Sequence, residues 1–261
     1  MKNILLFFLL ALILTGCPSP KPITKEEPPL SPPVKKEIVP DIVIKFATID
    51  MSKHVKKIEM NNIQNFARQL KNDSIDILTM QGITRYPELK NRVDIVDELS
   101  KETEMRKSFG ETINLGGRQN GNGVFTIYPI RSSDNLQFDK IKSTGFEAAI
   151  QTIVDCGTQN IVVVSTQITE KATMADQISI IKSLEQLPQQ FQSYPIIISG
   201  NIDSDKLLDK FNAIKIRKNS DSPGIWFAAN GTLKILDEQI SPSVFGKMSI
   251  VIFGIFSRPQ P

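Results

Sequence analysis

Histidine is nearly missing from this chain: one residue, His54, among 261. Chemistry that needs two imidazoles, as an acid and a base or as paired ligands, is excluded by that count. Cysteine is almost as scarce. Cys17 and Cys156 could form one bridge at most, so a disulfide-built scaffold is excluded as well. No charge of one sign dominates, because 31 Lys and Arg face 28 Asp and Glu, a formal balance of +3. A nucleic-acid surface would cluster its basic residues with aromatics between them. The two basic runs, Lys53-His54-Val55-Lys56-Lys57 and Lys215-Ile216-Arg217-Lys218, are short and read as solvated faces, so nucleic acid is not an expected partner. Motifs for an activated serine, lysine or cysteine nucleophile are absent, and no internal repeat is visible. After Leu14 no apolar run is long enough to cross a bilayer.

What is present begins with a charged start at Lys2, an apolar run from Ile4 to Leu14, and small residues before Cys17. That order describes a secretory signal peptide, and the run is too short for a comfortable membrane span. Leu14-Thr15-Gly16-Cys17 resembles a bacterial lipobox, whose cysteine is lipidated before cleavage and becomes the acylated first residue. More than one acyl chain on Cys17 would anchor the protein stably. Pro18 to Pro40 then holds eight prolines among Lys, Glu and Ser, a composition that cannot bury enough apolar surface to fold. The expected organisation is a signal peptide over 1–16, a lipidated tether over 17–40 and one globular domain over 41–258. The expected place is the bacterial cell envelope, facing periplasm or exterior, with the membrane as a partner through the lipid. Lipidation of Cys17 would leave Cys156 without a bridge. Cys156 sits at a turn, Val154-Asp155-Cys156-Gly157, with no local base to activate it.

Within the domain, strand and helix signals alternate at first. Ile42 to Ile49 alternates and is β-branched; Ile63, Phe66, Ala67 and Leu70 share one helical face; Ile75 to Met80 is the next strand. Val93, Val96 and Leu99 mark a second helix. Turn punctuation follows at Gly116-Gly117 and at Asn120-Gly-Asn-Gly123. Ala148–Val154 and Ile161–Ser165 read as a hairpin around Cys156-Gly157, followed by a helix from about Ala172 to Leu187 with Ile178, Ile181 and Leu184 on one face. The tail adds strands at Ile225–Ala228, Thr232–Leu236 and Ile250–Ile255. Many short strands with few helices predict an α/β fold, a four-layer sandwich of two packed mixed β-sheets flanked by helices.

The stretch that organises the domain is Tyr194-Pro-Ile-Ile-Ile-Ser-Gly-Asn-Ile-Asp203, an apolar run ending in small and acidic residues, as a buried strand does where it opens onto a site. It resembles the signature of the endonuclease/exonuclease/phosphatase superfamily, the deoxyribonuclease-like fold. There the strand ends Gly-Asp-x-Asn and the aspartate works beside a divalent metal. Here Asn201 and Asp203 stand exchanged. Phe46-Ala-Thr-Ile-Asp-Met51 resembles the family's first strand, with Asp50 in place of a metal-binding asparagine. Leu78-Thr-Met-Gln81 resembles the strand ending Leu-Gln-Glu, with Gly82 where the resemblance puts the metal-binding glutamate. Gly121-Asn-Gly-Val-Phe-Thr-Ile-Tyr-Pro-Ile130 keeps a family pattern except for Ile127 at its basic position. Val162-Val-Val-Ser-Thr166 resembles the strand ending Asn-Thr-His, with Gln167 for the histidine; Gln177 agrees with the family's glutamine on the next helix. Pro223-Gly-Ile-Trp-Phe227 puts Gly224 in an aspartate's place, and Phe245-Gly-Lys-Met-Ser-Ile250 puts Gly246 and Lys247 where an Asp-His pair belongs.

The resemblance implies a metal-dependent phosphodiesterase scaffold, and the exchanged positions imply that its chemistry is gone. Hard cations need oxygen ligands, which Gly82 cannot supply through a side chain. No catalytic residue and no cofactor is expected. Asp50 and Asp203, with Glu147, are the acids that could still hold Mg²⁺, against the plainer reading that Asp50 and Asp203 end a strand and cap a helix or turn. The sequence therefore reads as a lipoprotein displaying a non-enzymatic binding or structural module for an unknown protein or small-molecule ligand. Two alternatives stay open: a divalent-metal phosphodiesterase or nuclease with a rearranged site, and an envelope or surface antigen that engages proteins.

Overall fold

β1 (Ile42–Asp50) shows why the domain is layered. Ile44 and Phe46 are buried on one side, Ala47 and Ile49 on the other, so the strand is covered on both faces. The fold is given by a computed structural model that describes residues 39–52, 58–89, 92–138, 148–167, 173–191, 193–201, 215–217, 224–228 and 233–256. The strands that follow are β2 (Ile77–Arg85), β3 (Arg106–Leu115), β4 (Arg118–Thr126), β5 (Ile130–Gln137), β6 (Ala148–Asp155), β7 (Asn160–Gln167), β8 (Ile196–Asn201), β9 (Lys215–Arg217), β10 (Gly224–Ala228), β11 (Leu233–Ser243) and β12 (Gly246–Ile255). The described helices are α1 (Met60–Asn72), α2 (Ile95–Thr103), α3 (Met174–Glu185) and the single turn α4 (Leu187–Gln190). None of them is long and apolar enough to cross a membrane.

The strands form two mixed six-stranded sheets, ordered β11-β12-β1-β2-β4-β3 and β5-β6-β7-β8-β10-β9. β1 and β2 are parallel, as are β7 and β8; the other pairs are antiparallel. Three apolar layers hold the stack. Ile63, Phe66 and Leu70 of α1 and Val96 and Leu99 of α2 pack on the outer face of the first sheet. Ile180, Ile181 and Leu184 of α3 pack on Val162, Val164, Ile196 and Ile198 of the second. Between the sheets lie Ile44, Phe46, Ile77, Val124, Val163, Ile197 and Phe253. The order helix, sheet, sheet, helix is the four-layer sandwich that the sequence predicts.

Several local expectations change. Asn120-Gly-Asn-Gly123 lies inside β4 rather than in a turn. Its glycines serve close approach: a Cβ on Gly121 would lie 2.1 Å from the carbonyl oxygen of Gly110 on β3. Gly116 and Gly117 do make the β3–β4 turn, both at positive φ. The helix expected over 172–187 stops at Glu185, and Pro188 lies in the first turn of the separate α4. Ile180 rather than Ile178 is buried beside Ile181 and Leu184.

α3 starts on a capping box, in which Thr173 Oγ1 accepts from Asp176 N and the Asp176 carboxylate accepts from Thr173 N. Thr173→Ala should therefore cost about 1 kcal/mol, read as a lowered urea midpoint at unchanged m-value. Cys156 is buried at the β6–β7 turn, where Gly157 supplies φ +90. Burial, with Asp155 and Asp76 nearby, pushes its thiol up to about 12. At pH 8 its alkylation is expected to track global unfolding; fast labelling of the folded protein would contradict that burial.

Candidate functional site

The layer between the sheets changes character along its length. On β1 the inward series runs Ile44, Phe46, Thr48, Asp50; on β2 it runs Ile77, Thr79, Gln81. On β7 it runs Ile161, Val163, Ser165, Gln167, and on β8 Ile197 is followed by Ser199. Apolar residues thus fill one end, hydroxyls the middle, and amides with one acid the carboxyl ends of the parallel strands. Ligands of open α/β sheets bind beyond such ends.

The hydroxyl layer is knitted across the sheets. Thr48 Oγ1 donates to Gln81 Oε1 at 3.2 Å, and Gln81 Nε2 donates to Ser165 Oγ at 2.9 Å. Ser165 Oγ donates onward to the carbonyl of Met80 at 3.4 Å. Beside this chain, Thr79 Oγ1 and Ser199 Oγ share a hydrogen bond of 2.6 Å. Thr48, Thr79, Gln81, Ser165 and Ser199 are all fully buried. Such burial is tolerable because each group has a partner. Asn122 adds a second tie: its Nδ2 donates to Ala148 O at 3.0 Å, and its Oδ1 accepts from Gly82 N at 3.4 Å. Every member of this seam is neutral.

The residues singled out from the sequence fall around it. Asp50 ends β1 and its Oδ1 accepts from Ser52 N at 2.8 Å, the Asx turn expected of a strand-ending acid. Gln167 closes β7 and pairs in register with Asn201, the last residue of β8. Gly246 (φ +129) and Lys247 open β12 directly after the β11 turn, and the Ile49–Met248 pairing brings Lys247 to the strand beside Asp50. Gln69 of α1 holds that hairpin by donating to Ser241 Oγ and Pro242 O. Gln177 is buried on α3. Gly224 opens β10 opposite Gly200. Ile127 belongs to the far end of the sandwich, where its N–H donates to Asp76 O. Cys17, His54, Glu147 and Asp203 lie outside the described residues.

Gln81 and Gly82 differ in direction at the end of β2. The β2 side chain aimed between the sheets is Gln81, while Gly82 sits at a register break with φ +65. A Cβ at position 82 would lie 2.8 Å from both the backbone nitrogen and the Cβ of Ser52. Alternation signals this: Ile77, Thr79 and Gln81 share a face, and a hydrophilic pair at the end of an apolar face marks the seam.

No protein-family model and no curated protein matches the chain in sequence. Solved structures do match in shape. An endonuclease/exonuclease/phosphatase from Beutenbergia cavernae superposes at TM-score 0.65 and 11% identity, over 82% of this chain and 72% of that one. An endonuclease/exonuclease/phosphatase family protein from Leptotrichia buccalis gives 0.61 at 15% identity, over 81% of this chain and 99% of that one. The human Nocturnin catalytic domain gives 0.60 at 11% identity, over 83% and 94%. The fold is that of the endonuclease/exonuclease/phosphatase proteins.

In an endonuclease/exonuclease/phosphatase fold a divalent cation is the implied cofactor, so the donor set must be weighed against one. Mg²⁺ and Ca²⁺ call for oxygen ligands, carboxylates foremost. The ends of β1, β2 and β7 supply one carboxylate, Asp50, already turned toward Ser52 N–H. Gln81 offers a carbonyl oxygen that Thr48 occupies. Among the described residues no three His, Cys, Asp or Glu cluster to hold a metal. The described residues do not by themselves fit the ion, Asp203 and Glu147 lying outside them, and no chemical step is drawn through it. The shifted titrations lie at the opposite end: burial raises the Asp76 carboxyl, and burial with nearby Asp76 and Cys156 raises Tyr128 to about 12.

Proposed function

We propose that the chain is a lipid-anchored protein of the bacterial cell envelope whose endonuclease/exonuclease/phosphatase-like domain binds or scaffolds rather than cuts. What carries this reading is the seam: Thr48, Thr79, Gln81, Ser165 and Ser199 are neutral, buried and spent on one another between the two sheets. Phosphodiester hydrolysis needs an activated water and stabilisation of the developing oxyanion. Gln81, Gly82, Gln167 and Lys247 offer neither a metal-binding acid nor an imidazole for that work. The single histidine of the sequence supports the same view. The partner is a protein or a small molecule, met from a membrane held through Cys17.

The test is a Mg²⁺ and Mn²⁺ titration of the full chain against a generic phosphodiester. Turnover is expected to equal that of Asp50→Ala and Asp203→Ala controls, both at background. Activity that either substitution abolishes would instead establish a phosphodiesterase with a rearranged site. For the anchor, Cys17→Ser should move the protein out of the membrane fraction's lipid-labelled pool; unchanged labelling would refute the lipobox.

A further inference from the structure

Among the described residues, α1 and α2 cover only half of the first sheet's outer face. Ala47, Ile49, Met248 and Ile250 lie under α1 and α2 in one buried cluster. Further along the same strands, Val43, Gly254 and Lys234 stand in one row, and Lys45, Ile252 and Asp237 in the next. This half is open: Val43 is 50% exposed and Leu236 48%, and Val39, next to Pro40 in the chain, is 72% exposed. Gly254 has a packing role here. A Cβ on it would meet Pro40 Cβ at 3.1 Å and Leu236 Cδ1 at 3.2 Å, so Pro40 and Leu236 close over its bare backbone. The chain therefore reaches β1 across this face.

We infer that this open half-sheet is the surface on which the domain rests against the lipid bilayer, a reading that depends on the Cys17 anchor proposed above. One lipidated residue fixes the protein to the membrane, and the tether then keeps the bilayer at high effective concentration around the face where it enters. Under that condition a few exposed aliphatics need only orient a domain that the acyl chains already hold. The charges around the patch, Lys45 and Lys234 against Asp41, Asp76 and Asp237, leave no basic excess to favour anionic lipid. The contact is thus apolar, and zwitterionic vesicles should serve as well as anionic ones.

The test uses the full lipidated protein on phosphatidylcholine vesicles, read by hydrogen exchange of β11, with β3 at the opposite edge of the same sheet as reference. Amides of β11 are expected to exchange about threefold or more slowly than in the Val43→Asp/Leu236→Asp double variant on the same vesicles. β3 should be unchanged, and adding anionic lipid should not alter the ratio. Leu236→Ser, a milder change at a half-exposed position, should fall between the two. Equal β11 exchange in wild type and variants on vesicles would overturn the inference and leave the anchor standing. Protection that grows with protein concentration without vesicles would overturn it in favour of a second copy of the chain. A protein that fails to float with vesicles would remove the anchor and this inference together.

Discussion

Gln81→Glu is expected to destabilise the domain by about 3 kcal/mol at pH 7. The substitution is nearly isosteric, so the loss is electrostatic. Gln81 now accepts from Thr48 and donates to Ser165, whose own hydroxyl goes to Met80 O. A carboxylate keeps the first bond, turns the second into an acceptor facing an acceptor, and forces Ser165 to abandon Met80. The charge has no cation in the seam. Its folded pKa is then raised above the unfolded value, because burial disfavours the ionised form. Between those two values the folded state holds the extra proton, so stability falls as pH rises through that window. The penalty should vanish below the unfolded pKa and be complete above the folded one. Denaturant midpoints measured from acid to neutral pH check this. Addition of Mg²⁺ separates the two functional readings: a closed neutral seam predicts no recovery, whereas recovery of the lost stability would mean that ligands for the ion are already in place.

Gly200→Ala is expected to cost at least about 3 kcal/mol, and the variant will be recovered folded in low yield if at all. A Cβ at Gly200 would lie 2.0 Å from the carbonyl oxygen of Thr166 and 2.9 Å from its carbon. Both are backbone atoms of β7, the parallel neighbour of β8 in the middle of the second sheet. No rotamer change can relieve such a contact; the two strands must part, and the Thr79–Ser199 bond sits next to the break. Gly157→Ala is the useful control. A Cβ there meets nothing within 4 Å, although φ is +90. Its loss should stay near 1 kcal/mol, the cost of backbone strain alone. Urea unfolding of the two variants side by side gives both values.

How far the chain could be read before its structure depended on burial. β1, β2, β7 and β8 are buried on both faces, so their β-branched runs announce them, and the helical faces of α1 and α2 were equally plain. β5, Ile-Arg-Ser-Ser-Asp-Asn-Leu-Gln, carries no such pattern because it is a largely exposed sheet edge. Its pairing with β6 and the donation from Asn135 Nδ2 to Glu111 O make it a strand, and both are long-range. The same holds for Asn120-Gly-Asn-Gly123, where turn-forming residues serve close strand packing. At the site, motif resemblance pointed to the ends of β1, β2, β7 and β8 and to Gly82, whereas the side chain between the sheets is that of Gln81. A one-residue shift exchanges the faces of a strand, and the register break after Met80 is tertiary information. The seam was missed for a related reason: Thr48, Thr79, Ser165 and Ser199 come from four strands, and only stacking of the sheets brings them together.

We propose that this endonuclease/exonuclease/phosphatase-like fold carries a neutral, self-satisfied seam in place of an ion-binding set. Anomalous diffraction from crystals of the protein soaked in millimolar Mn²⁺ addresses it directly. The account predicts no anomalous density at the carboxyl ends of β1, β2, β7 and β8, with Gln81 still bonded to Thr48 and Ser165. A manganese ion coordinated there by Asp50 or Asp203 would contradict it.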